Sequence, residues 1–116
     1  IELLVVFAIL ATLLTLAVPR YFASVERSKE AVLKQNLSAL RNAIDQFHSD
    51  TGKYPERLED LVEKRYLRTI PADPITERTD SWVPQPPPAD SGMSGIYDVR
   101  SGAEGKASDG SEFAQW

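Results

Sequence analysis

Residues 3–18 read LLVVFAILATLLTLAV, sixteen consecutive positions broken only by Thr12 and Thr15. No polar face interrupts this run, so a helix made from it must be covered on every side. At 1.5 Å per residue it spans about 25 Å, slightly short of the ~30 Å hydrocarbon core of a bilayer. No basic leader and no small-residue cleavage site flank it: Val18-Pro19-Arg20-Tyr21 follows. The run therefore reads as a retained segment rather than a secretory signal, with the natural N-terminus missing or processed ahead of Ile1.

The other residues form a different kind of chain. Fifteen of the first nineteen residues are apolar, whereas the remaining 97 are only about one-third apolar (34 residues). That fraction supports a small, modest core and few walls for a deep substrate pocket. Net charge is −4 with no basic block, which disfavours nucleic acid as a partner. Cysteine is absent and His48 is the single histidine, so disulfides, thiolate chemistry and Cys- or His-based metal centres are excluded or starved of ligands. No nucleophile–base or metal constellation remains, and catalysis is not expected. His48 itself reads as a surface or helix-end residue.

Two residues punctuate the apolar run. Glu2 is a carboxylate at its lip. It can sit at the headgroups as an acid in the first helical turn, or it can pair with a positive group such as an N-terminal amine once the helix packs against copies of itself. Pro19 deletes one helical hydrogen bond, so it either ends the apolar helix at the water boundary or kinks a longer one. The next stretch favours a longer one. Val32, Leu33, Leu37, Leu40, Ala43, Ile44 and Phe47 recur at steps of three and four and define a narrow apolar stripe. Glu26, Lys29, Glu30, Lys34, Arg41 and Asp45 occupy the other side, with Glu30 and Lys34 spaced as a favourable i,i+4 pair. Gly52, followed by Pro55, marks the stop. One helix from near residue 1 to about residue 50 would be roughly 75 Å long and must project as a stalk.

A second amphipathic pattern begins after Tyr54-Pro55. It sets Leu58, Leu61, Val62 and Tyr66 on one face and ends in the bases Lys64, Arg65 and Arg68. It is expected to close over the Leu33-to-Phe47 stripe. The C-terminal third holds six of the prolines and five of the glycines, so turns and short strands are expected there. Pro71-Ala72-Asp73-Pro74 signals a turn, and Trp82-Val83 and residues 95–100 are the best strand candidates. The proline-rich residues 84–88 suit a rigid exposed connector or, alternatively, a polyproline ligand. Acids spaced through the Gly-rich residues 101–116 are either solvated or candidate calcium donors, and Trp116 staples this segment to the body. The expected fold class is α+β. Residues 1–19 form the apolar transmembrane or filament-core half of the helix, and residues 20–52 its amphipathic continuation. Residues 53–116 form a small head of one short helix, a small antiparallel sheet and loops.

These features occur in a familiar order. IELLVVFAILATLLTLAVPRYF resembles the N-terminal helix of type IV pilins and type II secretion pseudopilins, in which Phe-Thr-Leu-(Ile/Val)-Glu precedes an apolar run and a proline at the spacing of Glu2 to Pro19. DTGKYPERLEDLVEKRYLRTIPADPIT (residues 50–76) and GIYDVRSGAEGKASDGSEFAQW (residues 95–116) resemble more narrowly the G-type major pseudopilin. The resemblance covers essentially the whole chain and implies three missing mature residues and a short leader. It further implies cleavage and N-methylation by prepilin peptidase. The subunit is then expected in the bacterial inner membrane with a periplasmic head, and afterwards in a periplasmic or extracellular helical filament. The partners implied are further copies of the chain, an inner-membrane assembly platform and minor pseudopilins or pilins.

Under the resemblance, Glu2 pairs with a neighbour's N-terminal amine and Pro19 is where the helix melts on assembly. Close packing of Ala8, Ala11 and Ala17 and charge pairs between heads through Glu26, Arg27, Glu30 and Arg41 complete the expected assembly set. G-type proteins bind calcium in an acidic C-terminal loop. Here Glu104 stands where their pattern has Asp and the loop is shorter. Glu104, Asp109 and Ser111, with the carbonyls of Ser101 and Lys106, are thus the candidate calcium donors, and no other cofactor is expected. Many pilins also close this loop with a disulfide, which a chain without cysteine cannot form. The alternatives to a secretion pseudopilus are a surface pilus for motility, adhesion or DNA uptake, and a membrane-anchored binding module that never polymerises. Arg20, Arg27, Lys29 and Lys34 all follow the apolar run, and by the positive-inside rule they would place the body in the cytoplasm. The periplasmic expectation rests on the resemblance.

Overall fold

A computed structural model describes residues 1–116. Helix α1 (Glu2–Thr51) is a single element of 50 residues that runs through Pro19 without a break. It gives the molecule its longest dimension, 77 Å against 28 and 19 Å in the other directions. The helix ends where Gly52 adopts a left-handed conformation (φ 73°), from which its N–H reaches the His48 carbonyl at 2.8 Å. A residue with a Cβ would resist that conformation. The imidazole of His48 stacks flat on the Tyr54 ring, with ring centres 4.1 Å apart. His48 is thus a helix-end residue packed on the start of the head.

The head wraps the C-terminal half of α1. Leu33, Leu37, Leu40, Ala43, Ile44 and Phe47 are buried, as their spacing requires. Val32 departs from the expected stripe and is 43% exposed, because it lies just off the face that the head covers. Against this stripe pack Leu58 and Leu61, then Trp82, Ile96, Val99, Ala103, Ala107 and Phe113, to form one core.

Helix α2 (Glu59–Glu63) is shorter than its amphipathic pattern predicts. Arg65 takes a left-handed φ of 66°, which turns the Tyr66 and Leu67 amides back onto the Leu61 carbonyl at 2.8 and 3.1 Å. That capping turn ends the helix before Lys64, Arg65 and Arg68 can serve as its last-turn bases. Tyr66 still packs edge-on against Phe47, and its hydroxyl donates to Asp50 at 2.8 Å. The carboxylate accepting that proton, aided by burial, holds the Tyr66 phenol above its ordinary pKa.

Strands β1 (Val83–Gln85) and β2 (Asp98–Arg100) form a two-stranded antiparallel sheet, with Val83 opposite Arg100, Pro84 opposite Val99 and Gln85 opposite Asp98. The proline-rich segment is therefore partly strand, and Pro87 within it is buried, where a fully exposed connector was expected. Each strand of a two-stranded ribbon has a free edge, and on such an edge the missing N–H of Pro84 breaks no ladder bond. Immediately after β2 the chain presses onto the segment ahead of β1. A Cβ on Gly102 would sit 2.0 Å from the Ser81 carbonyl oxygen, so only glycine fits.

Leu40 and Val32 separate burial from pattern. Leu40→Ala should cost about 3 kcal/mol of head stability through lost transfer energy and a cavity. Val32→Ala should cost under about 1 kcal/mol, since only part of that side chain leaves water. Urea unfolding of the detergent-solubilised chain, followed by tryptophan fluorescence, measures both, and equal losses would contradict this packing.

Candidate assembly surface and the loop that borders it

Every residue from 1 to 24 is exposed, and the exposed side chains include Leu3, Leu4, Phe7, Ile9, Leu13, Leu14 and Leu16 on all sides of α1. This is the one helix in the chain long and apolar enough to cross a membrane. Its two hydroxyls are disposed of internally. Thr12 Oγ1 donates to the Ala8 carbonyl at 2.9 Å and Thr15 Oγ1 to the Ala11 carbonyl at 2.8 Å, so neither needs water or a partner. Pro19, four residues after Thr15, offers the Thr15 carbonyl no N–H. Ala8 and Thr12 leave a shallow apolar depression bordered by Val5, Ile9 and Leu13. At the tip, Glu2 lies in the first turn and has no hydrogen-bond or ion-pair partner within the chain.

Below the apolar half, α1 carries the charged residues expected to link heads, and the structure divides them. Glu26 and Arg27 are exposed and unpaired. Glu30 instead accepts two hydrogen bonds from Ser108, from its N–H at 2.7 Å and its hydroxyl at 2.8 Å. Lys34 does not pair with Glu30 as their spacing suggested. Its ammonium stands 4.8 Å over the Trp116 ring. Arg41 donates from Nε to Asp98 at 2.8 Å, and from Nη2 to the main-chain oxygens of Val99 and Trp116. Long-range partners from the loop take Glu30 and Lys34 because they offer fixed donors and a ring face, whereas an exposed i,i+4 pair is worth only a few tenths of a kcal/mol.

The loop of residues 101–116 is built on a relay of polar contacts. The Trp116 indole N–H donates to Ser111 Oγ at 2.8 Å, and the Ser111 hydroxyl in turn donates to Asp109 Oδ1. The Ser111 amide reaches the same oxygen at 3.0 Å. Ser111, through its hydroxyl and then its amide, holds the Asp109 carboxyl below the usual carboxylate range, and Lys34 adds to the effect. Glu104 lies elsewhere, lining a groove with Lys106 and Glu112 that Asp109 does not enter. No three acidic or imidazole side chains come together anywhere in the chain. A calcium ion asks for six to eight oxygen ligands. Of the expected donors, Asp109 and Ser111 are thus brought together while Glu104 stands in a separate groove. Ser101, a further candidate through its carbonyl, is buried and donates its hydroxyl to Asp73.

A family model described as type II secretion system (T2SS), protein G, matches residues 20–115. The chain belongs to this family of pseudopilins. Members are similar to it over nearly its whole length. The type II secretion system core protein G of Escherichia coli K12 is 27% identical over 99% of this chain and 86% of that protein. The Pseudomonas aeruginosa protein of the same name is 31% identical over 91% of this chain and 82% of its own length. The Xanthomonas campestris protein is 34% identical over 53% of this chain, a match that spans only 43% of that relative. No solved structure matches significantly. The family match begins after the apolar run, and the similarity to the Escherichia coli protein extends through it.

Two residues of this pseudopilin make long-range contacts that the sequence did not signal. Asp73 is fully buried. Its carboxylate accepts from the Ile75 and Thr76 amides at 2.9 and 3.4 Å and from the Ser101 hydroxyl. The Asp-Pro pair signalled the turn, but nothing local signalled a partner 28 residues away. Ser108 is the second, since a lone serine in a Gly-rich loop carries no mark of the helix carboxylate that binds it.

The Asp109–Ser111 contact has a pH signature. A carboxyl with a depressed folded pKa contributes its stabilisation above its unfolded pKa of about 3.9 and loses it as pH falls through the folded value. Ser111→Ala should therefore move the Asp109 midpoint upward toward about 3.9. Carboxyl-carbon NMR titration reads this directly, and an unmoved midpoint would contradict the assignment.

Proposed function

We propose that the chain is a structural subunit that polymerises into the helical pseudopilus of a type II secretion system through its N-terminal helices. The observation that carries this reading is the N-terminal half of α1, apolar all round, uncovered within the chain and bearing one unpaired carboxylate at Glu2. Such a surface is satisfied by lipid or by other copies of itself. The subunit waits in the inner membrane with its head in the periplasm, is processed by prepilin peptidase and is extracted by an assembly platform, with minor pseudopilins as further partners. The relatives' shared name supports this choice of machine.

Physical chemistry sets what can drive the step. Exchanging lipid for a bundle of like helices leaves apolar burial almost unchanged, so packing and directional contacts decide. Ala8, Ala11 and Ala17 permit close approach of a neighbouring helix, and the depression at Ala8 and Thr12 suits a side chain from that neighbour. Thr12 and Thr15 bring no unmet hydrogen bond into the bundle. Glu2 is costly if carried inward alone and favourable once a neighbour's N-terminal amine meets it. Pro19 is the point at which α1 yields most easily as heads pack, because the helix already lacks one bond there. Glu26 and Arg27 remain free to pair between heads.

Glu2→Ala should abolish filaments, reducing them more than about tenfold, while leaving the subunit inserted and its head folded. Filament yield from cells expressing the variant, with membrane fractionation and head unfolding as controls, is the measurement. Normal filament yield would sink the proposal.

A further inference from the structure

We propose that the C-terminal loop of this pseudopilin closes without calcium, held by a side-chain clamp that the stalk supplies. The inference concerns the folded subunit and stands whether or not the chain polymerises.

The donor geometry argues first. Glu104, Lys106 and Glu112 line one groove that Asp109 does not line, so the charge on Lys106 already offsets the two acids there. Ser111, the hydroxyl candidate, is engaged on both sides by Trp116 and Asp109. The antiparallel bridge between Lys106 and Glu112 and the Ala107–Ser111 main-chain bond of 2.7 Å close the segment by protein contacts alone.

The stalk then supplies what an ion would otherwise do. Glu30, 78 residues away in sequence, fixes the loop's apex by accepting both protons that Ser108 can donate. The Lys34 ammonium lies over the Trp116 ring at 4.8 Å. Arg41 holds the main-chain oxygen of Trp116 and, through Asp98 and Val99, the strand leading into the loop. These three residues follow one another along α1 at steps of four and seven, which keeps them on one side of a rigid helix. The loop is thereby tied to the stalk at its apex, its end and its root.

The test uses the full chain in detergent micelles, with calcium as the probe. The unfolding temperature of the head should agree within about 1 °C between chelator and about 1 mM calcium, the weak end of the range for extracellular calcium modules. Calorimetric titration should show no saturable binding. In parallel, Glu30→Gln should lower the unfolding temperature by about 3–6 °C and speed hydrogen exchange of the Ser108 amide about tenfold. Ser108→Ala, a milder change that keeps the amide, should give a smaller shift in the same direction. Saturable calcium binding with a rise of several degrees, lost in Asp109→Asn, would overturn the proposal. So would Glu30→Gln and Ser108→Ala variants whose stability and loop exchange match the parent chain.

Discussion

The head is fastened to the stalk along one stripe of α1, from Leu33 to Phe47, and the rest of the molecule depends on that contact. A two-stranded sheet of three residues per strand and a helix of five have almost no stability alone. They persist because Leu37, Leu40 and Ile44 give them a preformed apolar wall. The same helix, continued upward, presents apolar side chains with no wall to meet. One element thus carries two hydrophobic surfaces with different destinations: a narrow stripe satisfied within the chain, and a full cylinder satisfied only outside it. The unbroken α1 sets the distance between the two.

Polar contacts do the finer work in the head. Asp73 is the deepest, a buried carboxylate that joins the turn at residues 73–76 to the root of the C-terminal loop through Ser101. Leaving such a group without donors would cost far more than an exposed pair gains, which makes the Asp73–Ser101 contact a determinant of a single loop conformation. Glu30, Lys34 and Arg41 extend the principle outward. In each case a helix residue with a charged end reaches past its sequence neighbours to a loop acceptor, donor or ring.

Much of this was legible in the residues. The three- and four-step spacing located the stripe, Gly52 the helix stop, and the unbroken apolar run the exposed half of the stalk. Failures occurred where a long-range contact overrode a local preference. The pattern from Leu58 to Tyr66 reads as two turns of helix, yet Arg65 turns left-handed and stops it early so that Tyr66 can reach Phe47 and Asp50. Glu30 and Lys34 are spaced to pair, but Ser108 and Trp116 are better partners. Proline-rich residues 84–88 suggested a connector, whereas the register of Pro84 with Val99 makes part of them strand. No local signal could reveal contacts closed across 78 residues, because they exist only once the head has wrapped the helix.

The first half of α1 requires apolar cover on every side. The chain contains no cysteine, so single cysteines at successive positions from 3 to 18 can carry spin labels without interference. Accessibility to oxygen and to a water-soluble relaxant in lipid vesicles tests the claim most directly. The account predicts oxygen-accessible, water-inaccessible labels at every position around the helix. A water-accessible label recurring every three or four residues would reveal a polar face and contradict it.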